Sequence, residues 1–181
     1  MNTSSSRRTW LFGGVAAAAA IAGAGGAWWR QRGDSAAGGA PLDATFWGQN
    51  FDRPEGGQLA LAPLKGKPLL LNFWATWCPP CVEELPMLDR FFREQASNGW
   101  QVAGLAIDQP SAVRKFLERT PVSFAIGLAG MQGTELVKRL GNAEGGLPFS
   151  LVLDGAGTVL ARKMGKLEAA DLAAWRAQVH G

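Results

Sequence analysis

The chain has 181 residues, 47% of them hydrophobic and 18% charged, with 24 glycines, 8 tryptophans, no tyrosine and a formal net charge of +3. That length holds one ordinary domain and a short appendage, and the hydrophobic share is that of a packed globule, not of a disordered chain. The charge does not mark a nucleic-acid binder. Arg7, Arg8, Arg30 and Arg32 stand against Asp34 alone, so the whole excess falls in residues 1–40 and the remainder is balanced. Only two cysteines, Cys78 and Cys81, are present, which excludes a disulfide framework. With His180 the single histidine, a four-ligand zinc site lacks its ligands.

Residues 1–6 are polar, Arg7 and Arg8 are basic, and residues 10–29 form an uncharged run of Ala and Gly with Trp10 at one end and Trp28 and Trp29 at the other. A run of about 20 residues can span a bilayer as a helix, and tryptophans at both ends suit the interfacial belts. Residues 1–29 are therefore expected to be a signal peptide or membrane anchor and residues 30–43 a flexible linker. Residues 44–181 are the expected domain, exported across the membrane. Ser6-Arg7-Arg8-Thr9-Trp10-Leu11-Phe12 is similar to a twin-arginine export signal, though an ordinary basic leader region reads the same way. Ala-x-Ala patterns at Ala20 to Ala22 and Ala22 to Ala24 permit cleavage, and no cysteine precedes Cys78 to carry a lipid.

The elements follow in chain order. Short strands are predicted over 46–51 and 58–61, around an Arg53-Pro54-Glu55-Gly56-Gly57 turn. The continuous apolar run 68–74 predicts a strand buried on both faces. Residues 79–96 predict a helix, with Cys81, Leu85, Leu88 and Phe92 at helical spacing. A second buried strand is predicted over 100–107 and a helix over 111–119 with Ser111 as its N-cap. A strand over 124–128, a helix over 134–140 closed by Gly141, a hairpin of strands 149–153 and 158–164, and an amphipathic helix over 168–179 complete the chain. Strands alternating with helices and ending in a hairpin predict an α/β fold with a central sheet of mixed direction. No glycine-rich loop has nucleotide-binding spacing.

Trp77-Cys78-Pro79-Pro80-Cys81 falls where a buried strand ends and a helix begins. The positive end of the helix dipole favours a thiolate at Cys78, which is expected at an exposed turn, with Cys81 one turn in and facing the core. Two cysteines at this spacing can close a disulfide across the first helical turn. Incidental buried thiols, or half of a metal site, are the alternatives.

The block Leu71-Asn72-Phe73-Trp74-Ala75-Thr76-Trp77-Cys78-Pro79-Pro80-Cys81-Val82-Glu83-Glu84-Leu85-Pro86 resembles the active-site block of the TlpA/ResA-like branch of the thioredoxin superfamily. The likeness extends over about residues 44–181, from the lead-in at Leu59 to Pro68 as far as Gly146-Leu147-Pro148-Phe149. The resemblance implies a thioredoxin-like fold and an exported thiol–disulfide oxidoreductase that needs no cofactor, placed on the periplasmic side of a bacterial inner membrane. Cys78 would be its nucleophile and Cys81 its resolving thiol, the pair forming a redox-active disulfide. Pro148 would be a cis proline, letting the backbone of Leu147 pair with an extended substrate segment.

Thioredoxins proper carry a buried aspartate where Asn72 stands, and an amide cannot take a proton. In the TlpA/ResA-like branch a glutamate three residues after the second cysteine is a candidate for that work, and Glu84 matches. Residues i and i+3 share a helix face, so Glu84 is expected beside Cys81 with Glu83 turned away. Trp77 is expected to shield the cysteines and contact substrate, Trp74 to pack in the core, and Asp108 to be a strand-end turn acid. The implied partners are disulfide-containing proteins and a membrane thiol electron donor, with membrane contact through the N-terminal segment and no nucleic acid. Rival readings are a peroxiredoxin-type peroxidase and a copper(I)-handling thiol protein. The first is weakened because Thr76 precedes Cys78 by two positions, not three, and the second by the lack of a placed histidine or methionine ligand.

Overall fold

The computed structural model describes residues 41–180, so the leader and most of the expected linker lie outside the described residues. The last linker residues belong structurally to the domain. Pro41 bridges to Thr158, the Leu42 amide donates to Gly157 O at 2.9 Å, and Asp43 Oδ1 accepts from the Phe46 amide at 2.9 Å.

That aspartate changes the first element. The expected strand over 46–51 is instead a short helix, α1 (Ala44–Trp47), followed by a strand of only three residues, β1 (Asn50–Asp52). Asp43 caps the helix, and the turn buries Phe46 and Trp47 together, edge to face with centroids 5.0 Å apart. Strand β2 (Gln58–Ala60) pairs antiparallel with β1, Phe51 opposite Leu59.

Strand β3 (Leu69–Trp74) is fully buried along all six residues, as its apolar run predicts. Helix α2 (Pro79–Gln95) follows and runs into a short 3-10 turn, Ala96–Asn98. Pro86 lies inside α2. Strand β4 (Gln101–Ala106) leads to α3 (Pro110–Arg119). Helix α3 starts at Pro110 with Gln109 at its cap and no side-chain capping bond, so Ser111 is not the N-cap expected. The fixed φ of proline, which has no N–H to lose, starts the helix one residue earlier. Strand β5 (Ala125–Leu128) and helix α4 (Gln132–Arg139) precede the hairpin of β6 (Phe149–Leu153) and β7 (Val159–Met164), and α5 (Ala169–His180) ends the domain. In α5 the buried face is Leu172 and Trp175 with Val179 partly covered, and the opposite face is rich in exposed alanine instead of charge.

The strands form one sheet in the order β2-β1-β5-β4-β3-β6-β7. Strands β3, β4 and β5 are mutually parallel, and β1, β2, β6 and β7 bring antiparallel pairings to the two sides. Alternate side chains of β3 then serve two cores. Leu70 and Trp74 pack with α2, α3 and α5, while Leu69, Leu71 and Phe73 pack with α1 and α4. Asn72 shares the face of Leu70 and Trp74, the face of α2.

Packing on that face is close enough to require glycine at position 104. A Cβ there would sit 2.7 Å from Ile126 Cδ1, 3.1 Å from Phe124 and 3.2 Å from Trp74 Nε1. Gly104→Ala is expected to destabilise the domain by about 1–3 kcal/mol, the usual cost of overpacking a core. Gly146→Ala, where a Cβ meets nothing within 4 Å, should cost far less. Urea unfolding midpoints of the two variants check the contrast.

Candidate active site

Strand β3 ends at Trp74, and a turn closed by the Cys78 amide on Ala75 O (3.3 Å) delivers Cys78 to the N-cap of α2. The N-cap backbone is extended (φ −103°, ψ 101°), and Pro79 and Pro80 occupy the first helical positions. Cys78 and Cys81 form a disulfide across that turn, with S–S 2.08 Å and Cα–Cα 5.3 Å. Cys78 is less exposed than its place at a turn leads one to expect, at 4% against 0% for Cys81. Both cysteines join the core cluster that includes Trp74, Ala75 and Leu85. The exposed Cys78 expected at the turn is thus not found in the disulfide form, where both cysteines are buried.

Asp108, at the end of β4, does more than close a turn. Its Oδ2 accepts from both the amide (2.9 Å) and the hydroxyl (2.6 Å) of Thr76, and its Oδ1 accepts from the Gln109 amide at 2.7 Å. One carboxylate thus fastens the loop before the cysteines to the loop before α3. The Thr76 hydroxyl is thereby committed to Asp108.

Between the turn before α2 and the loops ahead of α3, α4 and β6 runs an open groove of about 660 Å³ whose lining includes Trp77, Asp108, Met131, Gly145 and Leu147. Trp77 is 65% exposed, so the indole stands at the rim of this groove. Met131, which nothing in the sequence signalled, is exposed on the same groove. The Leu147–Pro148 bond is cis. Asn142, also missed, is buried and donates to Gly146 O at 2.8 Å, while Pro148 O accepts from the Gly165 amide at 2.9 Å. Trp77 and Leu147, predicted separately, thus meet on one groove.

One helical turn after Cys81, Glu84 is 1% exposed. Its Oε1 accepts from Asn72 Nδ2 at 2.7 Å and its Oε2 from the Leu167 amide at 2.8 Å. Asn72 Nδ2 also donates to Ser150 Oγ at 2.9 Å. Asn72 and Ser150 are direct partners in the β3–β6 register, so both side chains rise on the α2 face. Burial, which disfavours the charged form, pushes the Glu84 carboxyl from 4.5 up to about 7. The Leu167 and Asn72 hydrogen bonds and the Lys166 charge pull against burial, and Glu168 adds to it. Glu83 turns outward as expected and pairs with Lys166 Nζ at 2.6 Å. Ser150 and the Leu167 amide were not foreseen. Among the described residues no group of three or more His, Cys, Asp or Glu side chains is gathered as for a metal.

A cysteine pair on the strand-to-helix turn, in a mixed sheet whose antiparallel half returns through a cis proline, is the arrangement of a thioredoxin-like protein. The chain belongs to the Redoxin family, whose profile matches residues 43–175. Among curated proteins it is 31% identical over 113 residues to a thiol-disulfide oxidoreductase ResA of Bacillus cereus, covering 62% of this chain and 63% of that one. The match thus spans about three-fifths of that relative's length. Among solved structures, a thiol:disulfide interchange protein of the thioredoxin family from Chlorobium tepidum TLS superposes with TM-score 0.68 at 27% identity, covering 79% of this chain and 99% of that one. StoA from Bacillus subtilis superposes with TM-score 0.58, also at 27% identity, covering 71% and 95%.

Proposed function

We propose that the protein is a thiol–disulfide oxidoreductase acting as a reductant of protein disulfides outside the cytoplasm. The observation that carries this reading is the Cys78–Cys81 disulfide on the first turn of α2, with a buried carboxyl one turn further on. In the reduced protein the Cys78 thiolate attacks a substrate disulfide. A Cys78–substrate bond forms, the substrate S–S bond breaks, and the released thiolate takes a proton from solvent. Cys81 then gives its proton to the Glu84 carboxylate and attacks Cys78 Sγ. The Cys78–Cys81 bond forms and the second substrate thiolate leaves, so two electrons have passed from the dithiol to the substrate.

The two prolines support the direction. Neither Pro79 nor Pro80 has an N–H, so two of the helix-end donors that would stabilise a Cys78 thiolate are missing. A less stabilised thiolate makes the dithiol the better electron donor. Trp77 and Leu147 on the adjoining groove suit an extended segment flanking the substrate disulfide, and Pro148 sets the Leu147 backbone beside it. Substrates of the kind handled in cytochrome c maturation or metal-site assembly fit such a reductant, and a membrane thiol carrier would re-reduce it. The twenty uncharged residues 10–29 would anchor or export the domain, and residues 30–40 would tether it. Among the described residues no helix is long and apolar enough to cross a membrane.

Cys81→Ser, expressed in the native cell envelope, is the test. It is expected to accumulate partners joined to Cys78 and released by reductant, and to trap none when Cys78 is also serine. Absence of any reducible adduct overturns the reading.

A further inference from the structure

The buried group behind the cysteines carries an unpaired atom. Asn72 Oδ1 is enclosed without a hydrogen-bond partner, while its Nδ2 serves both Glu84 and Ser150. This arrangement suits one charge state only. A carboxylate accepts and an amide NH2 donates, so Nδ2 against Oε1 is right when Glu84 is ionised. Once Oε1 carries a proton it becomes a donor facing a donor. The Leu167 amide on Oε2 fixes which oxygen is free to take the proton, because it holds the other as an acceptor. Two features allow the conflict to be removed in place. A half-turn about the Asn72 Cβ–Cγ bond exchanges Oδ1 and Nδ2 within nearly the same volume, so the packed core need not move. Ser150 offers a hydroxyl, which can accept from an N–H or donate to a carbonyl by rotating.

We propose that Asn72 and Ser150 are positioning residues that serve both charge states of Glu84: the Asn72 amide donates to the carboxylate, turns over to accept from the acid, and the Ser150 hydroxyl reverses with it. In the ionised state Oδ1 is unpaired. In the protonated state Oδ1 accepts from Glu84 and from Ser150, and Nδ2 takes the unpaired place. Each state leaves one amide atom without a partner, so neither is strongly favoured and the proton can be loaded and released inside the core. A buried aspartate at position 72 could not do this, because a carboxylate only accepts until it is itself protonated. The other charges acting on Glu84 lie on the loop after β7, where Lys166 opposes protonation and Glu168 favours it, and Glu83 on α2 engages Lys166. None of them contacts the amide, so they set when the turn happens and not whether it does. The inference deepens the proton-handling part of the proposed function, yet its own readout, the orientation of the amide, does not depend on redox turnover.

The experiment is side-chain NMR of the full chain in its disulfide form, in which the cysteines do not titrate, at about pH 5 and about pH 9. At the higher pH the Asn72 amide protons should show contacts to Ser150 Hβ and Glu84 Hγ. At the lower pH those contacts should vanish as the Glu84 carboxyl carbon shifts, with one midpoint for both changes. The amide contacts unchanged while the carboxyl titrates, or a carboxyl that does not titrate in this range, overturns the proposal. Ser150→Ala, which removes the group that follows the amide without adding charge, should broaden or displace the amide transition while Glu84 still titrates. An amide that keeps one orientation while Glu84→Gln slows exchange sinks this inference alone. An amide that turns while Glu84→Gln exchanges normally supports it and sinks the proton role of Glu84.

Discussion

Cys78→Ser is expected to lower turnover of a protein disulfide, with excess small dithiol as electron source, by on the order of 10³-fold or more, to the uncatalysed rate. Cys81→Ser should lose steady turnover as well, but keep a single fast event in which one equivalent of substrate becomes covalently bound. The difference follows from access. Cys78 stands at the N-cap of α2, whereas Cys81 lies one turn inside, enclosed by α2 and the sheet, and can reach only a sulfur already joined to Cys78. Comparing the two variants also removes stability as an explanation. Each loses the same bridge across a four-residue ring, worth about 2 kcal/mol on chain-entropy grounds. Rapid-quench measurement of bound substrate separates them, and a burst that survives Cys78→Ser instead would reverse the assigned roles.

What the sequence revealed and what it concealed divide along the range of the interactions involved. Strand β3 was legible because six consecutive residues, Leu69–Trp74, are buried on both faces and only an apolar run allows that. Helix α2 was legible because Cys81, Leu85 and Leu88 repeat at helical spacing and all three are buried. The cysteines and Glu84 stand in one local motif, so their joint position needed no tertiary information. Helix α1 was not legible. Phe46 and Trp47 carry strand propensity, and what makes them helical is the Asp43 cap together with the C-terminal hairpin, where a Cβ on Gly157 would meet the Trp47 ring at 3.0 Å. Ser150 was concealed for a related reason. Within Phe149–Leu153 it reads as one small residue in an apolar strand, and only the β3–β6 register sets it opposite Asn72. The Leu167 contribution is a backbone amide, which no side-chain pattern can announce. The place of Trp77 on the groove was concealed because the groove's other walls, at Met131 and Leu147, come from segments distant in sequence.

Glu84→Gln is expected to slow exchange and at the same time stabilise the fold, with the second effect dependent on pH. The sign follows from the direction of the shift. Glu84 holds its proton up to about pH 7 in the folded protein, against 4.5 for an ordinary glutamate. A raised folded value means the folded state binds the proton more tightly than the unfolded chain. The stability tied to that proton is therefore fully present below about pH 4.5 and is lost as pH rises through about 7. At one decade of proton concentration per 1.36 kcal/mol, the loss levels off at about 3 kcal/mol above pH 7. Glutamine stays neutral throughout, so the variant's advantage should be small near pH 4.5, grow across the window and reach that size above it. Urea midpoints of the oxidised protein at several pH values check this, and parallel stability profiles for the two proteins would contradict it. Turnover should move the other way, falling by about 10²-fold, because an amide cannot accept the Cys81 proton. Glu83→Gln is the control. Glu83 lies on the outer face in an exposed pair with Lys166, so its loss should leave both the pH profile and the rate nearly unchanged. A site that holds a carboxyl where it costs stability, and loses rate when that cost is relieved, is using the residue for chemistry rather than for folding.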